Sequence, residues 1–214
     1  MAGYGAIISS GTLLAVIGHS GSAVLASGLY YLLGSTLAMA AFMLLIELTE
    51  RIRPPGAALI AITMEAFAIE DKPEEPVGVG IPGSLAFLGL SFAACALVIS
   101  GMPPLAGFVA KFSLFHAMLA SAADLDDSVP ASTWVLIALM VSGGLAAIIA
   151  LMRLGVRTFW AAGALTAPRL QVSEAAPVTA LVLLCVLLTV QAGTVFDYLG
   201  RTTAGLLRSG DYAA

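Results

Sequence analysis

Residues 84–121 read SLAFLGLSFAACALVISGMPPLAGFVAKFSLFHAMLAS, an apolar run with one formal charge, Lys111, and a Pro103-Pro104 pair near its middle. Alanine, leucine and phenylalanine dominate with no period of two, so the run reads as helix rather than strand. As one straight helix it would extend about 57 Å, nearly twice the roughly 30 Å hydrocarbon core of a bilayer. Proline has no backbone N–H, so a helix crossing the pair leaves the carbonyls of Ile99 and Ser100 without partners. Backbone groups freed at membrane depth persist only where protein or a water-filled cavity surrounds them. The sequence therefore predicts a span broken at Gly101, Pro103 and Pro104, a device that transporters use. A purely structural kink is the competing reading.

The same character extends outward. The 214 residues are 60% hydrophobic and 10% charged, with a mean hydropathy of +1.02. Soluble domains carry roughly 25% charged residues, so an ordinary soluble globule, a disordered chain and a basic nucleic-acid binder are all excluded. A net charge of −4 is too small to imply any partner. Charge-free stretches cover 1–46, 76–110, 128–152 and 175–196. They predict an all-α polytopic membrane protein with five spans, at about 3–20, 23–46, 84–121 (broken), 132–152 and 177–196. The helical domain is then 1–196, followed by a tail, 197–214, read as a short amphipathic interfacial helix. Cys95 and Cys185 lie in apolar runs and read as small buried hydrophobes, with no disulfide, metal site or cofactor expected.

The connecting segments alternate in basic content. Segment 47–83 carries Arg51, Arg53 and Lys72, and 153–176 carries Arg153, Arg157 and Arg169. Between them, 122–131 has no base and three acids, Asp124, Asp126 and Asp127. The positive-inside rule makes the first two cytoplasmic and the third external. It then places the tail outside, against the preference of Arg201 and Arg208. Trp134 and Trp160 fall beside spans, as an aromatic belt requires. Within 54–83, Pro54-Pro55 opens a loop, 56–69 reads as a short surface helix, and 70–75 is a solvated acidic run. The first span is rich in Gly and Ser and no Lys or Arg precedes Arg51, so the N-terminus reads as though cut from a larger membrane protein.

Lys111, seven residues after Pro104, is the leading functional candidate. It lies roughly 15 Å of helix from the end of its span, too far for its stem to reach an interface. A central lysine disfavours insertion by about 2.5–3.5 kcal/mol, which the surrounding Leu, Ile, Phe and Val offset. Intramembrane charges by default mark ion or proton pathways, with a structural ion pair as the alternative. A lysine taken out of water is disfavoured as a cation, so it can accept a proton from one water chain and release it to another. Other polar residues that could line such a path are His116, His19, Tyr30, Tyr31, Ser35 and Thr36. For each, hydrogen bonding within the bundle is the plainer role. His116 lies about 140° around the helix from Lys111. Phe108, Phe112 and Phe115 read as packing. A G-x-G-x-x-G at Gly78, Gly80 and Gly83 lacks the strand, helix and acid of a dinucleotide site and is set aside.

Ser100-Gly-Met-Pro-Pro-Leu-Ala-Gly-Phe-Val-Ala-Lys-Phe112 resembles the broken-helix motif of antiporter-like membrane subunits. These occur in Mrp-type multisubunit monovalent cation/proton antiporters and in respiratory NADH:quinone oxidoreductase. Residues 29–42 and 77–90 are similar to the D component of the Mrp type. The resemblance implies a membrane component of about fourteen helices built on two inverted repeats, of which this chain would supply the last five. It implies a bacterial inner-membrane location, with the other antiporter subunits and the missing N-terminal helices as partners. It implies exchange of sodium or potassium for protons, with Lys111 passing the proton, and a transporter rather than an enzyme. The glutamate–lysine pair and the central lysine or histidine of the family's first half have no counterpart in this chain. A proton-pumping subunit of the oxidoreductase and a non-transporting structural module are the alternatives.

Overall fold

The computed structural model describes residues 2–19, 21–52, 83–123, 129–160 and 172–211. Among these residues seven helices follow one another: α1 Ala2–Ile17, α2 Ser22–Ile52, α3 Gly83–Ser100, α4 Ala106–Ala123, α5 Ala131–Gly155, α6 Val172–Val190 and α7 Ala192–Asp211. A π-helical turn, Val156–Trp160, continues α5. No strand occurs among the described residues. Four helical stretches are long and apolar enough to cross a membrane: Ser22–Glu50, Gly83–Ser100, Ala131–Phe159 and Ser173–Val190. The protein is thus an all-α, multi-span membrane protein.

The first and last outlines differ from those expected, and the third is broken as expected. The first span is a 16-residue helix, about 24 Å long and so shorter than a ~30 Å core. The third is divided into α3 and α4, each of 18 residues. The C-terminal helix begins at Ala192, ahead of the boundary expected at 197, and packs along α2. Segments read as loops also shrink: α2 runs on to Ile52, and α5 with its π turn carries Arg153 and Arg157 as far as Trp160. The loop features at 54–82 and the acids at 124–127 lie outside the described residues.

The long α2 is the mast of the bundle, packed by α1, α3, α4, α6 and α7. Small residues set that role, since without large side chains neighbouring backbones approach closely. A Cβ on Gly28 would run into the Val16 side chain of α1. Down the other side of α2, α6 and then α7 lie antiparallel to it. Val178 packs with Leu45 and Leu48, Cys185 with Ala38, and Leu199 with Ala26, while Thr203 Oγ1 donates to the Ser22 carbonyl at 3.1 Å. Only Gln191 interrupts the two helices. Tyr30 fastens this seam: it is fully buried, stacks on Phe196 with centroids 4.3 Å apart, and donates to the Leu188 carbonyl at 2.9 Å. Tyr30→Phe should therefore lower bundle stability by about 1 kcal/mol, read as a reduced thermal midpoint in detergent, with the stack retained. An unchanged midpoint would show that the hydroxyl contributes nothing.

The two ends of the bundle are distinct. Leu45, Leu48, Leu88 and Val178 gather with Phe87 and Phe159 at one end, from which 53–82 and 161–171 depart. Val16, Val24, Met118 and Met140 gather at the other, where α4 ends at Ala123 and α5 begins at Ala131. The two Arg-bearing connections therefore leave the same end and the acidic one leaves the opposite end. Outward faces of α5 and α6 expose Leu139, Ile149, Met152, Leu183 and Val190, apolar surface suited to lipid or a neighbouring subunit.

Candidate functional site

Glycine, before the prolines, ends α3. Gly101 has φ +77°, a left-handed conformation that residues with a Cβ adopt only with strain. Its N–H bonds the Val98 carbonyl at 3.2 Å, and the Met102 N–H bonds the Leu97 carbonyl at 3.1 Å. This pair of bonds is a Schellman closure, and proline shortly beyond it is the usual company because it cannot continue a helix. The Pro103-Pro104 bond is cis. The chain re-enters helix at Ala106, with the Phe108 N–H bonding the Leu105 carbonyl at 3.0 Å. There Gly107 lies so close to the end of α3 that an added Cβ would overlap the Val98 carbonyl.

The closure satisfies Leu97 and Val98 and leaves the last carbonyls of α3 open. Lys111 answers one of them. Its Nζ donates to the Ser100 carbonyl at 2.8 Å, one of the two acceptors that a proline pair at this position frees. The lysine stem crosses the face of Gly101, where an added Cβ would meet Cδ, Nζ and Cε at 2.6–2.9 Å. From the opposite side comes Gly144 of α5, whose Cβ would lie 2.7 Å from the Ser100 oxygen and 3.2 Å from Lys111 Nζ. Lys111 is thus inside α4, and only its tip reaches the break. Gly144 is eleven residues from both Thr133 and Gly155, about 16 Å of helix in either direction, so the ammonium lies near mid-depth.

Beside it opens a cavity of about 300 Å³ between α1, α2, α5 and the break. Its walls are mostly small or apolar, with polar groups from Lys111, Tyr4, Ser9, Tyr31 and Ser35. The Ser9 and Tyr31 hydroxyls are 3.3 Å apart. Of the polar residues singled out in the sequence, Tyr31 and Ser35 share this cavity with Lys111. The others point elsewhere. Tyr30 serves the α6–α7 seam. Thr36 is exposed and folded back on the Leu32 carbonyl at 2.6 Å. His19 joins the end of α1 to α5, with its ring nitrogens 3.1 Å from the Ala15 carbonyl and 3.4 Å from Thr133 Oγ1. His116 is exposed on α4. Sequence reasoning misses Ser9, Gly107 and the Gly143-Gly144 pair; two adjacent glycines inside an otherwise bulky apolar span are the available signal. Among the described residues no group of three or more His, Cys, Asp or Glu could hold a metal ion.

A multi-pass helical membrane protein with a capped mid-depth break and a lysine on the broken end is the class that fold and site define. No family model matches the chain. Over 210 residues, 97% of its length, it is 47% identical to a protein of Rhizobium meliloti (strain 1021) described as the probable D component of a K(+)/H(+) antiporter. The chain spans 39% of that relative's length. It is therefore homologous to part of that antiporter component across nearly all of its own residues, in agreement with the resemblance carried by 100–112, and is a multi-pass membrane protein.

Proposed function

We propose that this chain forms part of a membrane subunit of a multisubunit monovalent cation/proton antiporter, and that Lys111 passes the proton at the break between α3 and α4. The observation that carries the reading is the 2.8 Å contact of Lys111 Nζ with the Ser100 carbonyl, at mid-depth and beside a cavity. A titratable amine with a water-accessible side and a fixed acceptor can exchange protons with whatever fills that cavity. Tyr31 with Ser9, and Ser35, extend the polar lining toward α1 and α2. The name of the relative favours potassium as the exchanged cation, with sodium the competitor. The partners are the other antiporter subunits and the further helices that the relative contains; the role is that of a transporter component rather than an enzyme. Everted vesicles containing the whole complex should show potassium-driven proton movement with a pH-sensitive dye. Dye response to neither potassium nor sodium would defeat the reading.

Two expectations accompany it. Cysteines introduced at Arg51 and Arg157, in a background lacking the native thiols, should be labelled only from the cytoplasmic side, and one at Asp126 only from outside. Labelling of position 126 from the cytoplasm would invert the topology. The 214-residue chain alone should support no cation-driven proton flux, because one candidate carrier does not bridge ~30 Å of hydrocarbon. Robust flux from the purified chain would overturn this.

A further inference from the structure

The cavity beside Lys111 has a definite shape and charge. On α5 its lining residues are Gly143, Gly144, Ala146, Ala147 and Ala150, a shelf about 10 Å long that carries nothing larger than a methyl group. Met39 and Phe42 of α2 add apolar wall. Tyr4 and Ile8 of α1 also line it and are 74% and 44% exposed, so the cavity opens outward past α1. That side of α1 also exposes Ile7, and the opening lies near the depth of the break rather than at an aqueous face. Lys111 is the one formal charge among the lining residues, which include no Asp or Glu. At about 300 Å³ the cavity is at the lower end of the range for small-molecule sites.

A lysine ammonium has three donors, and the Ser100 carbonyl takes one at 2.8 Å, which leaves two for an acceptor in the cavity. Gly144 keeps that approach open, since a Cβ there would lie 3.2 Å from Nζ. A metal cation is repelled by the ammonium and finds no carboxylate. A small inorganic anion loses its hydration and leaves the apolar walls unfilled. We propose that the cavity binds a flat, lipophilic carboxylic acid, with its carboxylate on Lys111 Nζ and its ring system along the α5 shelf. Such an acid crosses hydrocarbon undissociated. In the cavity its O–H bond breaks, the proton moves to the free amine, and an N–H bond forms. The product is an ion pair with no net charge, so neither group is left as an unpaired charge at membrane depth. The assignment rests on the reading of Lys111 as a titrating amine, and makes the acid a blocker of that site, because the paired amine is held protonated.

The probe is naphthoate, equilibrated by dialysis with the full 214-residue chain in detergent, against protein-free micelles that correct for partitioning. One molecule should bind per chain. Naphthamide, which has the same shape without the acid, should bind about tenfold more weakly, the lower bound for losing a hydrogen bond to a charged group. Lys111→Met keeps the length of the side chain and loses its charge, so it should erase that preference. Ala147→Leu keeps the lysine and fills the shelf, so it should weaken both compounds by about tenfold. Thermal midpoints verify that each variant is folded, and the acid-against-amide comparison on the parent chain needs no variant at all. Equal binding of acid and amide by the parent, a preference that survives Lys111→Met, or undiminished binding by Ala147→Leu would each overturn the proposal. All three are binding measurements, so the vesicle assay of exchange judges the proton-carrying role separately.

Discussion

In the assembled complex, Lys111→Ala should abolish cation-driven proton exchange, and Lys111→Arg should fail to restore it. Alanine removes the titrating amine while favouring insertion, since a central lysine disfavours it by about 2.5–3.5 kcal/mol. It also strips the Ser100 carbonyl of its donor, at a cost of about 1–3 kcal/mol if no water replaces it. Exchange must therefore be normalised to assembled complex. Arginine keeps the charge, but a guanidinium with a pKa above ~12 does not release its proton near neutrality. Its greater bulk must also fit against Gly144, already close to the ammonium. Proton carriage and mere charge are thereby separated. Near-normal exchange by the alanine variant refutes proton carriage; rescue by arginine assigns an electrostatic role instead.

The second large effect is steric. Gly107→Ala places a methyl group on the Val98 carbonyl, and neither partner is the tip of a flexible side chain. Both are backbone, so α3 and α4 must separate, at the upper end of the roughly 1–3 kcal/mol typical of overpacking. The expected result is a marked fall in assembled protein and in thermal midpoint. Gly89→Ala is the matched control: it lies in α3 with nothing within 4 Å of the added Cβ, and should be neutral or slightly stabilising. If the two alanine variants behave alike, the close approach at the break is not what holds the half-helices together.

Much of this is readable from charge and proline placement. Charge-free runs mark where water is absent, and the four described helices long enough to cross a membrane overlap them. The proline pair places the break and singles out Ser100 as a carbonyl in need of a donor. The terminator is less legible. Gly101 looks like one more small residue, and only its φ shows that it closes α3 before the prolines are reached. The cavity is half legible, because a polar residue on a helix does not declare its facing. Tyr30 and Tyr31 are adjacent, yet one seals α6 and α7 and the other lines the cavity, as the ~100° step per residue dictates. The Gly143-Gly144 pair is visible in sequence, but its importance is not, since that lies in what occupies the space a Cβ on Gly144 would fill.

The break also has an electrical meaning. Ser100 is the last residue of α3, where aligned peptide dipoles leave a partial negative charge of roughly half an electron. The Lys111 ammonium is therefore the counter-charge of a helix terminus as well as a hydrogen-bond donor. In favourable, partly buried geometry such an interaction contributes up to about 2 kcal/mol. A proton leaving Lys111 removes that counter-charge, and α3 then ends at mid-depth with its dipole uncompensated. On the proposed role of Lys111, each proton carried would therefore also change the electrostatic attachment of the two half-helices.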